Sequence, residues 1–170
     1  MVVMSIPSLG LLTFQGNEHQ RPPDWADVVV EGIPLTVADA GDPSRWAREI
    51  FSPASVPGVV TALMAMRQLL ALAVGASRGS WDVFAVHEVR ADAAGRGGEA
   101  LLGYPDRHLD FRAAVGVDVD ARLLWVTTAV WFHGRRGRTY FLPVRFLHDP
   151  VTRAMMRRAI DRRARGTMAG

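Results

Sequence analysis

From Ala121 to Leu142 the chain reads ARLLWVTTAVWFHGRRGRTYFL. Apolar and polar positions alternate, pause at GRRG (134–137), then alternate again. A period of two belongs to a half-buried strand. The stretch therefore predicts two strands joined by a four-residue loop, a hairpin at the centre of the fold. Residues 1–24 carry Gly16, Asn17 and the Pro22-Pro23 pair, which break any regular element, and predict an irregular amino-terminal arm. WADVVVE (25–31) predicts a first strand, ended by Gly32 and Pro34. Asp42 and Pro43 then have the cap and first-turn chemistry of a helix start. Trp46, Ile50 and Phe51 give that helix one apolar face, and Pro53 stops it. A second helix is predicted from Ser55–Pro57 to about Val74, apolar on more than one side.

From Trp81 the period returns to two. WDVFAVHEVRA predicts a strand, GRGG (95–98) a turn, and Glu99 to Gly103 a shorter strand. His108 to Val117 predicts the next strand, which turns at Asp118–Asp120 into the central hairpin. After Pro143 the pattern is helical: Val144 to His148, a break at Asp149-Pro150, then Val151 to about Arg165. Val151, Met155 and Ala159, flanked by Met156 and Ile160, form its packing stripe. Helices segregated from an antiparallel meander make an α+β plan. The predicted architecture is a helix-grip: a curved antiparallel sheet wrapped on a long C-terminal helix. Its domain spans 25–165, with a tail at 166–170.

Alternation sorts the side chains onto two faces. With four-residue turns, Arg112 would face Thr127, Trp131 would face Tyr140 and His133 would face Arg138. One face then holds Leu109, Phe111, Ala113, Val115, Leu124, Val126, Thr128, Val130, Phe132 and Phe141, a plain core. The other combines Trp125, Trp131 and Tyr140 with the row His108, Asp110, Arg112, and with Thr127 and His133. Aromatic walls with a few placed polar groups suit a small-molecule pocket. On that reading Asp110, His108 and Tyr140 are the catalytic candidates, with Asp110 and His108 as acid and base. Arg112, Trp125, Thr127, Trp131 and His133 are the substrate-binding candidates, Arg112 holding a carboxylate, enolate or phosphate. The competing reading turns this face outward, makes Asp110–Arg112 a surface ion pair, and uses Trp125 and Trp131 as a dimer seam.

Composition narrows the chemistry. At 170 residues the chain can bury one real core. It has no cysteine, which removes disulfides, thiolate nucleophiles and thiolate metal sites. All 20 basic residues are arginine, the mark of a GC-rich, bacterial genome, and the net charge of +3 is weak support for nucleic-acid binding. The arginines of the last helix are expected to form a solvated face. Five histidines are present, but no pair has a metal-ligand spacing, so neither metal nor cofactor is expected. No G-x-S-x-G elbow, Rossmann fingerprint or phosphate loop occurs. The amino terminus lacks a basic region before its apolar residues, and Val56–Val74 is interrupted by Arg67 and Gln68. That falls short of the ~20 apolar residues of a span. A soluble cytoplasmic protein without membrane partners is expected.

Several stretches carry a resemblance. RHLDFR (107–112), TTAV (127–130), His133, GRTYF (137–141), and His148 ahead of MMRRA (155–159) resemble the domain-of-unknown-function 2867 family. WADVVVEGIPL and WAREIF with LMAMRQLL also resemble it, so the likeness covers roughly 25–160. The chain departs at Gly134, where the family pattern has Asn, and at Phe146-Leu147, where it has Pro-Phe. The resemblance implies a START/Bet v 1-like helix-grip fold and no established reaction. The function expected is binding of a hydrophobic or polyketide-like small molecule in an internal cavity. Cofactor-free cyclisation, isomerisation or dehydration would follow, with proximity supplying much of the rate. The alternatives are a non-catalytic carrier or sensor, and a homodimerisation module.

Overall fold

The computed structural model describes residues 22–37, 40–58, 85–91, 96–105 and 109–168. Most of the expected arm, the helix expected over 55–74 beyond residue 58, and His108 lie outside the described residues. Five strands and two helices are described: β1 (Trp25–Gly32), α1 (Pro43–Ile50), β2 (Val86–Ala91), β3 (Gly97–Pro105), β4 (Leu109–Asp118), β5 (Leu123–Phe132) and α2 (Gly134–Met168).

β1 alternates as its sequence demands, with Trp25, Asp27, Val29 and Glu31 on one face. α1 begins as expected. Asp42 Oδ1 accepts the backbone N–H groups of Ser44 at 2.9 Å and Arg45 at 3.2 Å, with Pro43 in the first turn. Trp46, Ala47 and Ile50 form its buried face. The Trp46 indole N–H donates to the Ala40 carbonyl at 2.7 Å.

The strands form one curved antiparallel sheet in the order β1-β5-β4-β3-β2. β2 to β5 are a meander, and β1 adds to the outer edge of β5, Trp25 opposite Val130 and Val29 opposite Val126. Between β4 and β5, Ala113 faces Thr128 and Arg112 faces Ala129. This register lies two residues from the expected one, because the loop occupies 119–122 rather than 118–121. Arg122 closes that loop at a φ of 56°, and Asp118 Oδ1 accepts the Ala121 N–H at 2.8 Å. An even shift leaves every side chain on its face, so the two-face sorting of β4 and β5 stands.

The central hairpin is corrected. Its first strand is β5, but the chain is helical from Gly134 onward, and α2 runs 35 residues without the expected break at Asp149-Pro150. Gly134 sits at a φ of +81°, a left-handed conformation in which a Cβ is strained. The chain thus leaves the strand and winds at once into a helix. Phe141, Thr152, Met155, Met156, Ala159, Ile160 and Arg163 recur at helical spacing and are buried. That stripe outweighs the aromatic, strand-like look of GRTYF. Tyr140 therefore belongs to a helix, and the pairings Trp131–Tyr140 and His133–Arg138 do not exist. Phe141 still joins Leu109 and Val130 in a small cluster, reached from the helix side.

The main core lies on the first face. Val29, Ala100, Leu102, Val115, Val117, Leu124 and Val126 of the sheet pack against Trp46 and Ile50 of α1 and Met155, Met156, Ala159 and Ile160 of α2. Burial of such side chains, at about 1.5–3 kcal/mol each, holds the helices to the sheet. Polar ties fix the registry. Arg162 donates to the Glu49 carbonyl at 2.9 Å and to Ser55 Oγ at 2.6 Å, joining α2 to the chain that leaves α1. The helix-grip plan is thus realised, and the gripped face is the apolar one.

Candidate functional site

The second face bears Asp110, Arg112 and Ala114 on β4, and Trp125, Thr127, Ala129 and Trp131 on β5. Both described helices pack against the opposite face. Asp110 faces Trp131 across the strands, Arg112 faces Ala129, and Ala114 faces Thr127. His133 continues the β5 alternation one step past the strand. Its Nε2 lies 3.1 Å from Asp110 Oδ2. The Asp110 side chain is only 14% exposed and that of His133 is 42% exposed, so a largely buried carboxylate meets an imidazole that reaches solvent. Trp125 and Trp131 retain 7% and 3% of their exposure, and Ala114 and Leu101 form a small apolar cluster beside them.

Trp125 reaches across β4. The row Glu99–Gly116–Trp125 runs over three strands. A Cβ on Gly116 would collide with the indole ring, so only glycine leaves the ring its place. The indole N–H donates to Glu99 Oε1 at 3.1 Å. Burial pushes the Glu99 carboxyl above its ordinary value, opposed by the Trp125 hydrogen bond and by Arg90. Thr127, half-buried, has its Oγ1 enclosed and without a hydrogen-bond partner among the described residues.

Of the expected site residues, the fold brings Asp110, Arg112, Trp125, Thr127, Trp131 and His133 onto one face. The exception is Tyr140, which lies in α2; His108 lies outside the described residues. Glu99 was not anticipated, although its place two residues before Leu101 in an alternating strand puts it on the same face as Trp125. No group of three or more acidic or histidine side chains among the described residues is arranged to hold a metal.

A second constellation was also unanticipated. His148 Nδ1 lies 3.2 Å from Asp27 Oδ2. The His148 ring stands edge-on to Trp25 at 4.9 Å between centroids, and Trp25 meets Phe141 in the same way at 4.9 Å. Burial lowers the His148 pKa, and the hydrogen bond and charge of Asp27 oppose that shift. Further along, Glu31 accepts from Arg153 at 2.9 Å and Arg157 at 3.1 Å. These pairs line the seam between β1 and α2 on the first face. A polar Asp27 between Trp25 and Val29 on a core-facing strand was the signal for it.

No helix of the described residues is long and apolar enough to cross a membrane. No curated protein and no solved structure matches the chain. The family model described as "Protein of unknown function (DUF2867)" matches residues 23–155, most of the chain and every element from β1 into the second half of α2. With a match over that length, the chain belongs to the DUF2867 family.

Proposed function

We propose that the second face of the sheet binds an apolar, polyketide-like small molecule and that Asp110 and His133 move a proton on it. The observation that carries this reading is the 3.1 Å contact between Asp110 Oδ2 and His133 Nε2, beside the buried Trp131. A carboxylate that accepts the Nε2–H keeps the neutral imidazole basic at Nδ1 and steadies the imidazolium that forms on protonation. His133 is then the base or acid, Asp110 orients it, and Trp131 supplies an apolar wall. Arg112, on the same face two residues from Asp110, is suited to an enolate or carboxylate oxygen. Such a set supports cofactor-free isomerisation, cyclisation or dehydration. The dimer-seam alternative is disfavoured, since Trp125 and Trp131 are already buried within one chain.

The test is native mass spectrometry of the purified chain beside its Asp110→Asn and His133→Gln variants. A native adduct that leaves on denaturation is expected. In the variants the retained molecule should be the unreacted form: an isomer of the native adduct, or the same molecule heavier by one water. Identical molecules in all three proteins would make the chain a carrier and remove the proton-transfer role. No adduct in any of them, with no binding of added polyketide-like compounds, would remove the binding role as well.

A further inference from the structure

The first turns of α2 meet the sheet along one narrow stripe. Gly137 and Phe141 are buried there and His148 is half-buried. Leu142, Val144, Phe146 and Leu147 lie open instead, Phe146 with 72% of its surface exposed. They are four of the seven large apolar side chains exposed among the described residues. A concentration of this kind marks an interaction surface, whereas single exposed apolar residues do not. Its charge is one-sided. Arg135, Arg138 and Arg145 are exposed on the same turns, and no acidic residue occurs from His133 to His148. The Arg145 guanidinium lies 6.0 Å from the centre of the Phe146 ring, so charge and apolar surface are interleaved. Arg138 lies 3.9 Å from Asp24 Oδ1, a loose pair that leaves it exposed.

The shape and charge of this surface select its partner. At about 100° per residue, the four open apolar side chains spread over about 200° of the helix circumference. A partner helix or strand covers one side of a helix, but a lipid interface meets every side that the sheet does not hold. A second copy of the chain would bring arginines against arginines. We infer that these turns of α2 dock the protein on an anionic lipid bilayer. Phe146, Leu142 and Leu147 enter the boundary between headgroups and acyl chains, and the guanidinium groups meet the anionic headgroups. Such docking is peripheral and needs no spanning helix, and it departs from the expectation of no membrane partner. α2 begins one residue after His133, so the docked helix holds the end of the sheet bearing Asp110 and His133 toward the lipid. The inference stands on exposure and charge, and does not depend on the small-molecule reading of the second face.

The test is co-sedimentation of the full chain with sucrose-loaded vesicles of phosphatidylcholine and phosphatidylserine, beside vesicles of phosphatidylcholine alone. Binding to the mixed vesicles should be about 100-fold tighter, at about 5-fold for each of the three arginines, and should weaken as salt is raised. Arg145→Gln should lose about 5-fold, and Phe146→Ser about 10-fold. Both variants should melt with the native chain, because both side chains are exposed. Leu35→Ser removes an 83% exposed side chain beyond the other end of β1 and should bind as the native chain does. Sedimentation with neither vesicle, or equally with both, overturns the inference. So does native-like binding by Phe146→Ser, or a loss in Leu35→Ser as large as in Phe146→Ser. A chain that ignores vesicles but forms a dimer that Phe146→Ser abolishes also overturns it, and gives the surface to a second copy.

Discussion

Trp125 donates its indole N–H to the buried carboxyl of Glu99 at 3.1 Å, from two strands away. The contact exists because the residue between them, Gly116, has no side chain. Gly116→Ala should therefore displace the indole, break the hydrogen bond and destabilise the protein by about 1–3 kcal/mol through overpacking. The expected readout is a melting temperature lower by several degrees, with tryptophan emission shifted to the red. An unchanged melting curve would mean the ring has another place to go.

Glu99 itself should make stability depend on pH in a definite direction. Burial holds its pKa above the unfolded value. The protonated form is favoured in the fold, so its contribution is complete below the unfolded pKa and is lost as pH rises through the folded one. Glu99→Gln mimics the protonated acid and keeps an oxygen for the indole. Urea midpoints of variant and native protein should match near pH 4, and the variant should be the more stable at pH 8. A variant less stable at pH 8 would show that the charged form is the one the fold needs.

The seam between β1 and α2 gives the opposite sign. His148 has a pKa depressed by burial. Its contribution is present above the unfolded histidine value and is lost as pH falls through the folded one. Replacing it with glutamine should flatten the fall in denaturant midpoint between about pH 7 and pH 5, relative to the native chain. Equal slopes in the two proteins would exclude His148 as the titrating group.

Two arginines on α2 should differ sharply. Arg163 is buried, with its guanidinium 4.2 Å from the centre of the Trp46 ring and its Nε 3.9 Å from Glu49. Arg157 is exposed and shares Glu31 with Arg153. Arg163→Ala removes a desolvated cation from between an aromatic face and a carboxylate, and should cost about 3–5 kcal/mol. Arg157→Ala should cost about 1 kcal/mol or less. Chemical denaturation of the two variants compares them directly, and equal losses would contradict the burial argument.

The two faces of β4 and β5 were legible in the sequence because alternation is a local property that a two-residue register shift preserves. The start of α1 was legible because Asp42, Pro43 and Ser44 act within one turn. The start of α2 was misread for a local reason as well. Thr139, Tyr140 and Phe141 are strand formers, and Pro143 and Pro150 look like helix breakers. The helical stripe that overrides those local signals is spread over two dozen residues, from Phe141 to Arg163, and only tertiary packing collects it. The pairs Asp27–His148, Glu31–Arg153 and Glu99–Trp125 were unreadable for a different reason. Each joins residues far apart in the chain, and no spacing rule connects them. Of the candidate site, the face was foreseen and the pairing of Asp110 with His133 was not.

The order of the sheet has a consequence for how the chain is made. β1 is made before the other described strands, yet among the described residues its sheet neighbour is β5, about a hundred residues later. At typical rates of synthesis the ribosome needs about 5–20 s to cover that distance. Throughout that interval the first strand waits for the partner it has in the described sheet. When β5 arrives it can zip onto β4 at once, because the turn between them is short. Its other edge stays open until the waiting amino-terminal strand returns. An open edge recruits any strand that comes near, including β1 from another nascent chain. Docking of β1 is thus the step that closes the sheet, and the nascent protein is most exposed to aggregation just before it.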